Sequence, residues 1–273
     1  MHTWQWRNCE GFLYLSCSLL EQWPHGFFTR HFWPHSPQEL ADVLHPEAEV
    51  YRVKQVHGNT VLTPSEVRGQ ETGEKGDRGD KGDKGDNFEF RAEADGLLTE
   101  QILQSVWVAS ADCTPVLIAD SKTGQVAAVH AGWRGTAMKI VPQAIARLQA
   151  QGSQIPDLRV ALGPAIAGAV YQVSSQVAAQ VGSSIFSNQE AELILDNLQQ
   201  LPDSPLLPDS HPERVRLDIR RVIALQLEQL GFGSEQVAIA PHCTYQEPER
   251  FFSYRRDKLK KVQWSGIVST NLC

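Results

Sequence analysis

The stretch that most constrains the fold of this chain runs from Ala92 to Ala131. Turn signals alternate there with apolar runs: AEADGLLT, VWVAS, PVLIAD and QVAAVHAG. Short apolar runs bounded in this way read as strands of a largely buried sheet. Two of them end on chemistry. The run from Val106 leads to Asp112 and Cys113 ahead of Pro115. QVAAVHAGWRGT, Gln125 to Thr136, carries His130 at a strand end, and Gly132 and Gly135 predict a tight turn around Trp133 and Arg134. A third segment, RVKQVHGNTV, brings His57 just before Gly58. Three ligand-type side chains, distant in sequence, are thus each placed at the end of an apolar segment, where they can converge.

The remaining chain mixes strands and helices without a repeat or an obvious linker. The aromatic N-terminus predicts a hairpin, with a turn at Pro24 and Gly26. Ser36-Pro37 starts a helix over 37–44. Apolar residues from Ala137 to Leu148 fall at helical spacing, so a helix is expected over 136–151 with Thr136 as its N-cap. Strands follow at Leu158–Leu162 and Val237–Ala240, and helices at 174–182 and Leu217–Leu230. Residues 187–213 read as a loop with a short helix. FFSYRRDKLKKVQWSGIV reads as strand, charged turn and final strand. The sum is a mixed α/β (α+β) fold, mixed sheets flanked by helices, in one catalytic domain spanning 1–273.

ETGEKGDRGDKGDKGD, residues 71–86, is a separate object. Glycine recurs every third residue from Gly73 to Gly85, without proline and with nothing apolar to bury. It reads as a flexible, charged loop inserted between strands. Its RGD is a by-product of the repeat.

Composition excludes several partner classes. Net charge is −7 and no basic patch stands out, which argues against a nucleic-acid partner. Five cysteines at irregular spacing do not make a disulfide framework, and a reducing, cytoplasmic setting is expected. No apolar run reaches membrane-spanning length. The apolar patch from Gly11 to Leu20 is flanked by Glu10 and Glu21 and interrupted by Ser16 and Cys17, so it is read as a strand and not a signal segment.

His57, Cys113 and His130 admit three chemical readings. Two imidazoles and one thiolate suit zinc, with the fourth position left for water or substrate, as in catalytic sites. Alternatively Cys113 is a nucleophile, His130 its base and Asp112 the group that orients the histidine. A copper oxidase is the third reading, poorly supported by two methionines and no paired HxH pattern. Core packing of a buried cysteine and satisfied histidines accounts for the composition equally well.

HGFFTR, QVHGNTV, ADG, ADCTPVLIAD, AVHAGWRGT, GPAI and FFSYRRD together resemble the purine nucleoside phosphorylase family once called polyphenol oxidase or laccase-domain proteins, also named peptidoglycan editing factor. The resemblance runs from about residue 24 to the end. It implies an α/β fold of mixed sheets and zinc held by His57, Cys113 and His130. It also implies phosphorolysis of adenosine, inosine, guanosine and methylthioadenosine, with adenosine deamination as a side activity. The partners are then purine nucleosides and phosphate. A cysteine hydrolase or amidase acting on peptidoglycan precursors stays open as the alternative. Within the expected chemistry, Asp112, Cys113 and His130 are catalytic candidates. Arg30, Gln55, Arg134, Tyr171 and Arg255 are candidate substrate contacts, the arginines Arg134 and Arg255 for phosphate. His242 and Cys243 are a second His/Cys pair considered for the pocket. The chain departs from the family pattern at Ala169, where a cysteine is common, and at Lys261-Val262, where Gly-Arg is common.

Overall fold

The computed structural model describes residues 2–72 and 92–271. Fifteen strands lie among them. In chain order they are β1 (Trp4–Cys9), β2 (Phe12–Cys17), β3 (His25–Phe28), β4 (Glu49–Tyr51), β5 (Val61–Leu62), β6 (Gly96–Leu98), β7 (Gln104–Ser110), β8 (Thr114–Asp120), β9 (Val126–Ala131), β10 (Leu158–Leu162), β11 (Gln172–Ser174), β12 (Leu206–Pro208), β13 (Arg214–Leu217), β14 (Val237–Ile239) and β15 (Gln263–Val268). The α-helices are α1 (Pro37–Leu44), α2 (Pro64–Thr72), α3 (Trp133–Ala137), α4 (Ile140–Ala150), α5 (Ser175–Gly182), α6 (Ala191–Gln200), α7 (Ile219–Gln229) and α8 (Tyr254–Asp257).

Two six-stranded mixed sheets, ordered β1-β2-β3-β15-β7-β4 and β14-β10-β8-β9-β6-β5, carry the core. A small third sheet is ordered β11-β13-β12. Alternation along β8 shows the layering. Leu117 and Ala119 join Val106, Val108 and Ile267 of the first sheet in one core, whereas Val116 and Ile118 join Ile140, Ile145, Val222 and Ile223 of α4 and α7 in another. The second sheet is therefore covered on both faces, by a sheet and by helices, which is why β8 is apolar from Pro115 to Ala119 and β9 from Val126 to Val129. On the outer face of the first sheet, fully buried Trp107 packs with Phe28, Phe32 and Leu40. Gly266 stands opposite Trp107 on β15 because a Cβ there would come within 2.4 Å of the indole.

Most expected elements are present, with three corrections. Gly26 is not in a turn but inside β3, paired with Gly266. The helix expected over 136–151 is two helices. α3 already starts at Trp133, and Lys139, at φ 59°, breaks the chain before α4 begins at Ile140. Thr136 is a buried residue of α3 and caps nothing. FFSYRRD is not a strand: Ser253 Oγ accepts from the Arg256 amide and caps the short helix α8. Glu71 and Thr72, the first residues of the glycine repeat, close α2; the remainder of the expected 71–86 loop lies outside the described residues. No disulfide forms among the described residues, where Cys9, Cys17, Cys113 and Cys243 are free. No described helix is long and apolar enough to cross a membrane.

Candidate metal centre

The site forms where the β7–β8 connection, the end of β9 and the loop after β4 meet. β9 carries His130 as its penultimate residue, buried, opposite Pro115 of β8. Cys113 lies immediately before β8, so the strand pairing that builds the sheet also brings cysteine and histidine together. His57 comes from a loop outside the sheets and must be held by other means. One carboxylate does this. Asp95 is fully buried and its two oxygens accept the amides of Val56 at 3.1 Å, His57 at 2.9 Å and Gly58 at 2.6 Å. Its Oδ1 also lies 2.8 Å from His130 Nδ1. A single side chain thus fixes the loop of one candidate ligand and the ring of another, turning Nε2 of His130 toward the site.

The donor atoms of His57, Cys113 and His130 lie within 4.8 Å of one another. The two imidazoles stand nearly perpendicular, centroids 4.9 Å apart. Bond lengths of about 2.0–2.3 Å to one ion are compatible with this spacing after small side-chain rotation. Two imidazoles and one thiol with a carboxylate behind one ring are a donor set that fits zinc. Among the described residues this is the one such cluster of three.

The electrostatics agree with a thiolate. Burial alone pushes the Cys113 thiol up, but His130, and then His57, bring it down to about 6. Burial likewise disfavours the His130 imidazolium, yet Cys113 and Asp95 raise it to about 9. Asp95 is pushed up by burial and held below the usual carboxylate range by His130 and the backbone amides. Two backbone outliers border the site, His57 at φ 59° and Asp112 at φ 97°.

The glycines after His130 serve close approach and not a turn. A Cβ on Gly132 would stand 2.9 Å from Cys113 Sγ, and one on Gly135 would stand 3.0 Å from the Gly58 carbonyl.

Asp112 does not orient a histidine. Its Oδ1 accepts from the Thr244 hydroxyl at 2.8 Å and its Oδ2 from the Arg255 amide at 2.7 Å, tying the loop after β14 and the start of α8 to the site. Asp95 is the residue that orients His130. Its signal in the sequence is an aspartate inside the apolar run AEADGLL, where a buried carboxylate needs partners.

Two cavities flank Cys113. One of about 390 Å³ is lined by all three ligands, Gln55, three lysines and an apolar wall that includes Trp264. On the other side a narrow cleft of about 30 Å³, bordered by Cys113, Trp133 and Tyr171, leads toward a recess of about 430 Å³ lined by Tyr171, Arg255, Arg214 and Glu213. Of the five predicted substrate residues, Gln55, Tyr171 and Arg255 line these places, whereas Arg30 and Arg134 do not. Gln55 faces the metal cavity, but its amide is paired both ways with the backbone of Ala109, at 2.8 and 2.7 Å. Arg255 stacks on Tyr171 at 4.8 Å and donates to the Gln172 carbonyl. Burial, followed by the charge of Cys113, pushes the Tyr171 hydroxyl up to about 12. Arg134 is exposed and lies over Trp133 at 4.4 Å. Arg30 lines neither cavity: it donates to the Pro248 carbonyl and covers Phe252. His242 pairs with Glu247, and Cys243 Sγ accepts from the Ala167 amide, so neither joins the ligand cluster.

Residues 35–268 match the family model described as multi-copper polyphenol oxidoreductase laccase. The chain is 51% identical over 269 residues, 97% of each chain, to "Purine nucleoside phosphorylase slr1573" of Synechocystis sp.. It is 30% identical over 231 residues, 84% of this chain and 78% of the other, to "Purine nucleoside phosphorylase Cgl2154/cg2365" of Corynebacterium glutamicum. The fold superposes on the crystal structure of YlmD from Geobacillus stearothermophilus with a TM-score of 0.74 at 23% identity, covering 97% and 99% of the two chains. On these matches, and with the motifs that build the centre in place, the chain belongs to the purine nucleoside phosphorylase family that bears the laccase-domain description.

Proposed function

We propose that this chain is a zinc-dependent purine nucleoside phosphorylase acting on adenosine, inosine, guanosine and methylthioadenosine, with adenosine deamination as a side activity. The observation that carries the reading is the convergence of His57, Cys113 and His130 on one cavity, in a chain 51% identical to a protein named for that activity. His57, Cys113 and His130 would hold the zinc, which would supply a Lewis acid there. Copper is less favoured, because a multi-copper centre needs further ligand groups and none of three or more exists among the described residues.

In the reaction a phosphate oxygen bonds to C1′ of the ribose as the bond from C1′ to the purine nitrogen breaks. The electron pair leaves with the purine, which takes a proton; the sugar leaves as ribose 1-phosphate. Because all three ligands face the 390 Å³ cavity, the reacting carbon belongs there. Trp264 and Tyr254 of its wall offer apolar surface to a purine. His130, held by Asp95, keeps its ring orientation during turnover. Asp112 acts by positioning Arg255 and Thr244, since both its oxygens are engaged. Gln55 fixes the His57 loop to β7. Tyr171, Arg134 and Arg255 support substrate contact from the far side of Cys113. Incubation with adenosine and phosphate should release adenine and ribose 1-phosphate; no product, or equal product from Cys113→Ala, contradicts the reading.

One observation favours the cysteine-hydrolase alternative: Asp95, His130 and Cys113 form a relay with the thiol lowered to about 6. Turnover of a peptidoglycan-type amide by metal-free protein, abolished by alkylating Cys113, would select it.

A further inference from the structure

Three lysines, Lys54, Lys260 and Lys261, line the metal cavity and no carboxylate does. This happens in a chain whose net charge is −7. The three are not equivalent. Lys54 Nζ sits 2.8 Å from Glu93. Lys261 Nζ lies 5.9 Å from the ring centroids of both Trp33 and Phe252. Lys260, on the segment between α8 and β15, has no carboxylate partner among the described residues. Val53, Leu259, Val262 and Trp264 make up much of the remaining wall. Apolar walls lower the local dielectric and strengthen the attraction between an ammonium and an anion.

The recess beyond Cys113 contrasts with this. Its arginines already donate to Gln172, Arg255 to the carbonyl and Arg214 to the side-chain oxygen. Glu213 also lines it and repels a dianion.

We propose that Lys260, with Lys261 and Lys54 beside it, holds the phosphate dianion in the metal cavity, on the same side of Cys113 as the two histidines. The inference rests on the phosphorolysis reading and names the group that binds its second substrate. The lysine acts as a point charge that moves with the anion and not as a rigid fork.

The test is steady-state kinetics of metal-loaded protein with adenosine saturating and phosphate varied. Lys260→Ala should raise KM for phosphate about tenfold, with KM for adenosine and metal content unchanged. Lys260→Arg should regain most of the loss, and the difference should shrink as salt is raised. An unchanged KM for phosphate, or equal rises in both KM values, overturns the proposal. If wild type makes no ribose 1-phosphate, the phosphorolysis reading falls separately. Titration of inorganic phosphate into metal-loaded wild type and Lys260→Ala, followed by tryptophan fluorescence, then decides. Binding lost in the variant upholds the lysine site; equal binding, or none in either protein, overturns it.

Discussion

The two sides of Cys113 are both cationic, and they differ in the charges that accompany the cations. On the His57 side the charges are lysines against an apolar wall, with no carboxylate among the lining residues. On the Tyr171 side Arg255 and Arg214 each give one N–H to Gln172, and Glu213 adds an opposing charge. Arginine forks are the better phosphate ligands in general. Glu213 on the arginine side, against no carboxylate on the lysine side, is what favours the lysine cavity for the proposed anion. Partners also separate the two aspartates. Asp95 touches a ligand ring and the other ligand's loop, while Asp112, next to Cys113 in sequence, touches neither.

The largest effect that would sharpen this comparison is therefore expected at Asp95. Asp95→Asn should lower metal affinity about 10- to 100-fold. It should also destabilise the fold by roughly 3 kcal/mol, because a fully buried carboxylate serving three amides and a histidine is lost. Asp112→Asn should leave metal affinity within about twofold, since it reaches no ligand. Metal titration and denaturant melts of both variants check this; equal metal loss would break the comparison.

Gly132→Ala comes next. Its Cβ would press on Cys113 Sγ from 2.9 Å. A displaced ligand should cost on the order of 10-fold or more in kcat with the global fold intact, measured by activity and circular dichroism.

The metal-free centre should be pH-sensitive. Cys113 is lowered to about 6, so its contribution to stability is present above its unfolded value and is lost as pH falls through about 6. His130 is raised to about 9, so its contribution is present below its unfolded value and is lost as pH rises through about 9. The pair therefore stabilises the apo-protein between those two limits. Alkylation of Cys113 after chelation should rise with a midpoint near the lower one, and a midpoint near 9 would contradict the assignment.

The smallest effect should come from the arginine side. Arg214→Ala should change KM for phosphate by less than about threefold, because that guanidinium is exposed and bonded to Gln172.

Much of this was legible in the sequence, and for physical reasons. β7, β8 and β9 declared themselves because strands covered on both faces must be apolar throughout, and their ends carried Cys113 and His130. His57 stood out through its place before Gly58. What could not be read was direction. Asp112 and Asp95 are both aspartates at strand ends, and only the fold shows which carboxylate faces the imidazole. Gly132 and Gly135 suggested a turn, whereas their lack of a Cβ makes room for Cys113 and the Gly58 carbonyl at the start of a helix. The lysines of KLKK read as a charged turn because nothing local reports that Lys260 and Lys261 line a cavity with His57.

The most direct test is metal analysis of the purified chain beside Cys113→Ala. One zinc per chain in wild type, lost in the variant while its fold is retained, is the predicted result. Wild type without metal, or a variant that keeps its full complement, would contradict a centre built from two imidazoles and one sulfur.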